Sequence, residues 1–254
     1  MKRRLTPALA RGGLTCRPRA CCRSGRVVRG ALAGHDVTVV DEVLAQQVSY
    51  YRKRAAEYDV TAYGDVAAAR VRIDRVVTQL RPTGQVLEIA CGTGIWTEAL
   101  ARWASAVMAF DAAPEMIAIA RNSVDSPNVT FEVADVFAWA TTARFDVIFF
   151  SAWLSHVPTS RFEQFWRSLR RLLADRGRVL FIDEHVDEHG KEAYGAGSAE
   201  MVERRLRDGS EFRIVKNFVD PEQLSARLGQ LGWQCRVDRD GQDWVIGEAQ
   251  PVQV

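Results

Sequence analysis

A short span of this chain carries acids and glycines whose types and spacing suit the binding of a nucleoside. Val86, Leu87 and Ile89 make an apolar run of the kind found in a buried parallel strand; Glu88 interrupts it, and Ala90-Cys91-Gly92-Thr93-Gly94 follows. Glycines there permit a tight turn and a close approach of backbone to a ligand, and the helix expected from Ile95 to Trp103 offers free N–H groups at its start. Asp111 lies twenty residues after Cys91, at the end of a second apolar run. From there a carboxylate reaches the ribose hydroxyls of a nucleoside laid across the turn. Asp135, in Val133-Ala134-Asp135-Val136-Phe137, ends a third run and can accept the exocyclic amino group of an adenine. Strand-end aspartates also cap helices, and short Gly-x-Gly turns are common, so the weight rests on the ordered set. A dinucleotide fingerprint would carry a third glycine where this chain has Thr97.

A second group of residues has the chemistry of proton transfer. His156 follows the fourth apolar run in Ser151-Ala152-Trp153-Leu154-Ser155-His156-Val157-Pro158, and imidazole titrates near neutrality, which makes it the first candidate base. Capping the loop before Pro158 is the competing role. Trp153 is a candidate pocket wall, and Tyr50 and Tyr51 are candidate substrate contacts, although aromatic residues at helical spacing serve a core equally well. Asp183-Glu184-His185-Val186-Asp187-Glu188-His189 is a dense set of carboxylates and imidazoles, which fits either a divalent ion or a solvated loop. No metal site is assigned to it, and His185 stands as the second candidate base.

The elements that must position these residues follow from periodicity. Val43, Leu44, Val48, Tyr51, Ala55 and Tyr58 predict an amphipathic helix over Asp41 to Asp59, and a second runs from Val66 to Leu80, stopped by Arg81-Pro82-Thr83-Gly84. Strands are expected at Ala106 to Phe110, Asn128 to Val133, Phe145 to Ser151 and Arg178 to Asp183. They alternate with helices at Pro114 to Arg121 and Arg161 to Ala174. That alternation predicts an α/β fold with a doubly wound parallel sheet, ligands binding outside the carboxyl ends of the strands. The charged stretch Lys191 to Asp208, with Met201, Val202 and Leu206 on one stripe, reads as a helix over the site. Phe212 to Phe218 reads as a strand, Pro221 to Leu231 as a helix, and Trp233 to Val237 with Asp243 to Gly247 as a closing hairpin around Asp240-Gly241.

Composition bounds the function classes. With 254 residues and 47% hydrophobic residues, the chain can bury a full core. It contains no run near the roughly 20 apolar residues that span a bilayer. The net charge of +2 hides an asymmetry: residues 1–30 hold nine Lys or Arg and no acid, leaving 25 basic and 32 acidic residues in the rest. The body is therefore mildly acidic, about −7, which argues against a nucleic-acid partner. The first 34 residues, rich in Arg, Gly and Pro without periodicity, read as a disordered tail; a transit peptide or a start codon placed too far upstream would look the same. Five cysteines, three of them in that tail, do not make a disulfide framework, so a reducing compartment, the cytoplasm, is expected.

Taken together, the motifs resemble the class I S-adenosylmethionine-dependent methyltransferases over roughly Asp41 to Ala249. Glu88 to Gly94 is similar to the first motif of that family, with Ala90 where many members have Gly. Asp111 matches its ribose-binding acid, and Asp135 with the backbone of Val136 its adenine-binding motif. Phe145-Asp146 and Gly177-Arg178-Val179-Leu180 match the openings of its fourth and fifth strands. The resemblance implies a Rossmann-like, seven-stranded, mostly parallel sheet with one antiparallel strand. Residues 35–80 then form a helical cap and 81–250 the catalytic domain, with a helical lid at 184–210. It implies S-adenosyl-L-methionine as cofactor, held by Glu88, Ala90, Gly92, Gly94, Asp111, Ala112, Asp135, Val136 and Ser151. Within the family, Tyr50 to Asp59 and Ser151 to Pro158 look like bacterial small-molecule enzymes related to ubiquinone and menaquinone biosynthesis. The Asn-Pro-Pro-Tyr signature of many nucleic-acid enzymes is absent after the fourth strand.

A sulfonium methyl is already activated, so such an enzyme mainly aligns the acceptor and excludes water, while an oxygen nucleophile also gains from a base. The expected activity is methyl transfer to a small molecule, most readily at oxygen. The alternatives are a noncatalytic cofactor-binding relative and, against the missing third glycine and the second acid, a nicotinamide-dependent oxidoreductase. The identity of the acceptor and the oligomeric state are not encoded in any of these motifs.

Overall fold

The computed structural model describes residues 33–194 and 198–252. The reading of residues 1–32 as a tail lies outside the described residues, and Ala33 and Gly34 already belong to the first helix. That helix, α1, runs from Ala33 to Arg54, and a 3₁₀ turn at Ala55–Glu57 leads into α2, Tyr58–Tyr63. The single amphipathic helix expected to Asp59 is thus broken after Arg54. The third helix, α3 (Val66–Leu80), starts at Asp65, whose side chain accepts from the Ala68 N–H, and buries Ile73, Val76 and Val77.

Seven strands make the main sheet: β1 (Gln85–Ile89), β2 (Ala106–Asp111), β3 (Val129–Val133), β4 (Phe145–Ser151), β5 (Leu173–Glu184), β8 (Trp233–Asp240) and β9 (Trp244–Pro251). Their order is β3-β2-β1-β4-β5-β9-β8. β1 to β5 are parallel, and β9 runs antiparallel to both its neighbours. Helices α4 (Ile95–Ala101), α5 (Pro114–Ser123), α6 (Phe162–Leu172) and α7 (Pro221–Gln230) cover the two faces. Alternation along β4 shows why a continuous apolar run marks a central strand. Ile148 and Phe150 enter a core with Leu87, Phe165, Trp166 and Phe181, whereas Val147 and Phe149 enter another with Val76, Trp96, Leu100 and Leu180. Buried side chains thus fix the register, and with it the place of every residue at the carboxyl ends.

Residues 184–210 depart from the expected helix. They form a 3₁₀ turn at Val186–Lys191, and Met201–Arg205 is a strand, β6, paired antiparallel with β7 (Glu211–Val215) in a separate two-stranded sheet. The stripe of Met201, Val202 and Leu206 misled because a period of two was also present: Val202 and Arg204 point inward while Glu203 and Arg205 are exposed. β7 likewise stands outside the main sheet. Val202 and Ile214 bury a small core of their own against Tyr50 of α1. Gln47 of α1 closes the edge of β7, its side chain accepting from the Val215 N–H and donating to the His156 carbonyl.

Candidate functional site: two abutting cavities at the strand ends

The turn after β1 owes its shape to three positive-φ residues. Ala90 has φ of 54°, Gly92 57° and Gly94 85°. A Cβ on Gly92 would meet only Tyr58, at 4.0 Å, so this glycine leaves room in the cavity above it. Gly94 does different work: a Cβ there would come within 2.9 Å of Val124 Cγ2 and 3.1 Å of Ala120 Cβ, where α4 starts against the end of α5. Asp111, the last residue of β2, accepts from the Gly92 N–H at 3.0 Å and the Ala113 N–H at 2.8 Å, tying this turn to the next. Burial raises its carboxyl to about 6, although the N–H groups of Ala113, Gly92 and Ala112 pull it down.

A cavity of about 330 Å³ opens over that turn. It is lined by Ala90, Gly92, Asp111, Ala112, Asp135, Val136 and Ser151 among the residues expected to hold a cofactor, with Tyr51, Tyr58, Phe110, Met116 and Phe137 around them. The residues fit an adenosine: an acid at the ribose end, an acid and a backbone at the adenine end, and apolar walls between. Glu88 and Gly94 do not line it. Glu88 is buried beneath the turn and accepts the Thr97 hydroxyl at 2.6 Å, and burial raises its carboxyl to about 8. Thr97, where a dinucleotide fingerprint would have Gly, is thus the partner of an acid inside the fold. The Thr93 hydroxyl, 2.6 Å from Asp59, fastens α2 to the same turn.

On the other side of the strand ends lies a second, more polar cavity of about 500 Å³. Tyr50, Arg54, Asp183, Glu184, Arg204 and Lys216 line it, drawn from α1, β5, β6 and the residue after β7. Lys216 pairs with Glu184 at 2.8 Å, and Arg204 pairs with Glu192. Arg54 donates to the Thr61 hydroxyl and lies over the rings of Tyr50 and Tyr58. Burial raises the Asp183 carboxyl, which accepts from the N–H groups of Ser155 and Glu184. Tyr51, Tyr58, Ser151, Ala152 and His156 line both cavities, so the two abut there. Ala152 holds a φ of 48° at that point, its N–H bonded to the Ile182 carbonyl.

Each proton-transfer candidate has a definite place. His156 is buried at the seam, with Nε2 2.8 Å from the Tyr51 hydroxyl and Nδ1 2.6 Å from the Val215 carbonyl oxygen. Burial, and then the nearby Lys216, Arg204 and Arg54, lower its pKa to about 3 despite the bond to Val215. His185 lines neither cavity; its Nδ1 accepts from the Asp187 N–H and caps its own turn. Trp153 lies against Phe137 and Phe165 on the side of the smaller cavity, and Tyr50 lines the larger. Among the described residues, no three His, Cys, Asp or Glu side chains stand together as metal ligands. Sequence reasoning passed over Tyr58, Ala152, Arg54, Arg204 and Lys216. Tyr58 was visible as the last member of the α1 stripe; the others carry no local signal.

Known proteins share this fold. Residues 86–177 match the methyltransferase domain family. The chain is 39% identical to the protein solved as the DhpI–SAH complex, covering 84% of this chain and 98% of that one with a TM-score of 0.73. The DhpI–SAM–HEP complex gives 38% identity and a TM-score of 0.72. A ubiquinone biosynthesis O-methyltransferase of Xanthomonas axonopodis pv. citri (strain 306) is 32% identical over 65% of this chain and 69% of its own length.

The chain belongs to the S-adenosylmethionine-dependent methyltransferases. For this methyltransferase the nicotinamide reading is set aside, and the smaller cavity holds seven of the nine residues expected at an S-adenosylmethionine site. S-adenosylmethionine bound there would supply an electrophilic methyl group. With the cofactor in the smaller cavity, Asp111 and the turn at Ala90 to Gly92 would hold the adenosine, and Tyr51 and Tyr58 would help to exclude water. No helix among the described residues is long and apolar enough to cross a membrane.

Proposed function

We propose that this methyltransferase methylates an oxygen atom of a small polar molecule held in the larger cavity. The observation that carries the reading is the shared wall of Tyr51, Tyr58, Ser151, Ala152 and His156, across which an acceptor in one cavity faces a cofactor in the other. Charged and hydroxylated side chains dominate the acceptor side, among them Arg54, Asp183, Arg204 and Lys216, which suits a polar acceptor. The Xanthomonas relative is named an O-methyltransferase, which supports oxygen as the target. In this reading Asp111, Ala112, Asp135, Val136 and the turn at Ala90 to Gly92 bind the cofactor, with Glu88 and Gly94 shaping the turn from beneath. Tyr50 and Tyr51 meet the acceptor, and Trp153 packs behind the cofactor.

The test is incubation of the protein with methyl-labelled S-adenosylmethionine and a fractionated metabolite extract. Label is expected in polar, hydroxyl-bearing compounds of low mass, in an ether or ester linkage. Label found only on nitrogen, or only in the protein or nucleic-acid fraction, would overturn the proposal.

A further inference from the structure

The seam between the cavities contains a hydrogen-bonded chain whose direction is fixed by chemistry. The Val215 carbonyl can only accept, so His156 Nδ1, at 2.6 Å, must carry the ring proton. His156 Nε2 is then the lone-pair nitrogen, and the Tyr51 hydroxyl, at 2.8 Å, must donate to it. With its proton so committed, Tyr51 Oη offers only lone pairs to whatever comes next to it. Tyr51 and His156 both line the two cavities, so this hydrogen-bonded pair lies on their shared wall.

Building on the proposed oxygen methylation, we infer that Tyr51 is the residue that touches and orients the acceptor, by accepting a hydrogen bond from the acceptor's O–H. His156 is a positioning residue that acts through Tyr51. Such a bond turns a lone pair of the acceptor oxygen away from Tyr51 and toward the neighbouring cavity. The groups facing His156 fit a neutral ring. Arg54 and Tyr51 approach from α1, Arg204 from β6 and Lys216 from just after β7, while Asp183, at the end of β5, lines the same cavity. A protonated imidazole there would add a buried positive charge among three cations. Gln47 fastens the same two segments, bridging the His156 carbonyl and the Val215 N–H, so the ring is held by a frame rather than left to swing.

The test compares Tyr51→Phe, His156→Ala, His156→Gln and the double variant Tyr51→Phe/His156→Ala, each checked for folding by circular dichroism and for cofactor affinity by calorimetry. Tyr51→Phe should lower kcat/KM for the acceptor about tenfold or more, with cofactor affinity nearly unchanged. His156→Ala should match it, and the double variant should be no worse than either single one. His156→Gln, whose amide can both donate to Val215 and accept from Tyr51, should recover most of what Ala loses. Nitrogen-15 spectra of the wild-type imidazole should show one neutral Nδ1–H tautomer between about pH 5 and 8, and wild-type kcat should show no limb there. His156→Gln as inactive as His156→Ala, together with a wild-type kcat rising through an imidazole titration, would make His156 a base and overturn the inference. So would an unaffected Tyr51→Phe. A wild type that methylates only nitrogen refutes the oxygen reading instead, and the spectra decide the positioning role by themselves: a His156 that titrates near neutrality removes it.

Discussion

Glu88 is the acid on which the structure makes its sharpest demand. It is 1% exposed, its one side-chain hydrogen bond comes from the Thr97 hydroxyl, and burial, opposed by that bond, lifts its carboxyl from 4.5 to about 8. The unfolded chain releases this proton near pH 4.5, whereas the folded chain keeps it to about pH 8, so between those values the folded state binds the extra proton. Stability must therefore fall as pH rises through that window, by about 1.4 kcal/mol per unit at most. From about pH 5 to 7 the loss through Glu88 comes to about 2 to 3 kcal/mol. Glu88→Gln keeps a carbonyl oxygen for Thr97 and removes the titration. Urea unfolding of the cofactor-free protein should give the variant a stability close to wild type at pH 5 and a lead of about 2 to 3 kcal/mol by pH 7. Asp111 and Asp183, also raised by burial, titrate in both proteins and largely cancel in the difference. Parallel stability curves for the two proteins would mean that Glu88 is ionised in the folded state, and the burial argument would fail.

Other predictions follow from the turn and its neighbours. Asp111→Ala should weaken S-adenosylmethionine binding by roughly 1.5 to 3 kcal/mol, the usual loss for a hydrogen bond to a charged group; unchanged calorimetric affinity in a folded variant would remove Asp111 from the site. Ala90→Gly should raise stability by about 0.5 to 1 kcal/mol. It relieves a left-handed residue at a cost of roughly 1 to 2, offset in part by the freer unfolded chain. A lower midpoint in urea would refute that. Gly94→Ala should destabilise by about 2 kcal/mol or more, since the new Cβ meets Val124 and Ala120 and must hold φ near 85°; a thermal midpoint equal to wild type would contradict the packing assigned to this position.

How legible each part was follows from how local its cause is. The parallel sheet was readable because Val147-Ile148-Phe149-Phe150 must be covered on both faces and because Pro114 and Pro221 open helices. The β6-β7 hairpin was not, since a stripe of Met201, Val202 and Leu206 satisfies a helical period over so short a span. What decides for strand is the pocket that Tyr50 and Ile214 provide for Val202: Ile214 is its partner across the hairpin, and Tyr50 lies far away in the chain. The break of α1 after Arg54 was hidden for the same reason: the apolar stripe continues through Tyr58, but Asp59 is drawn to Thr93.

The two cavities divide along the same line. A cofactor site built from a turn, an N–H donor and a strand-end acid uses neighbours in sequence, so Gly92, Asp111 and Asp135 announce themselves by spacing, and even the departure at Ala90 is visible as a residue forced to a φ that suits glycine. The proposed acceptor site is assembled from α1, the end of β5, the hairpin and the residue after it, with Arg54, Asp183, Arg204 and Lys216 contributed across 163 residues of chain. No spacing rule connects them, because only the fold makes them neighbours. His156 shows what that costs a sequence argument. Its place after β4 suits a base, yet burial and three surrounding cations lower its pKa and its Nδ1 lies against the Val215 carbonyl, and none of these neighbours is adjacent in sequence. In this methyltransferase the residues proposed to hold the cofactor are written locally, and those proposed to choose the acceptor are written only in three dimensions.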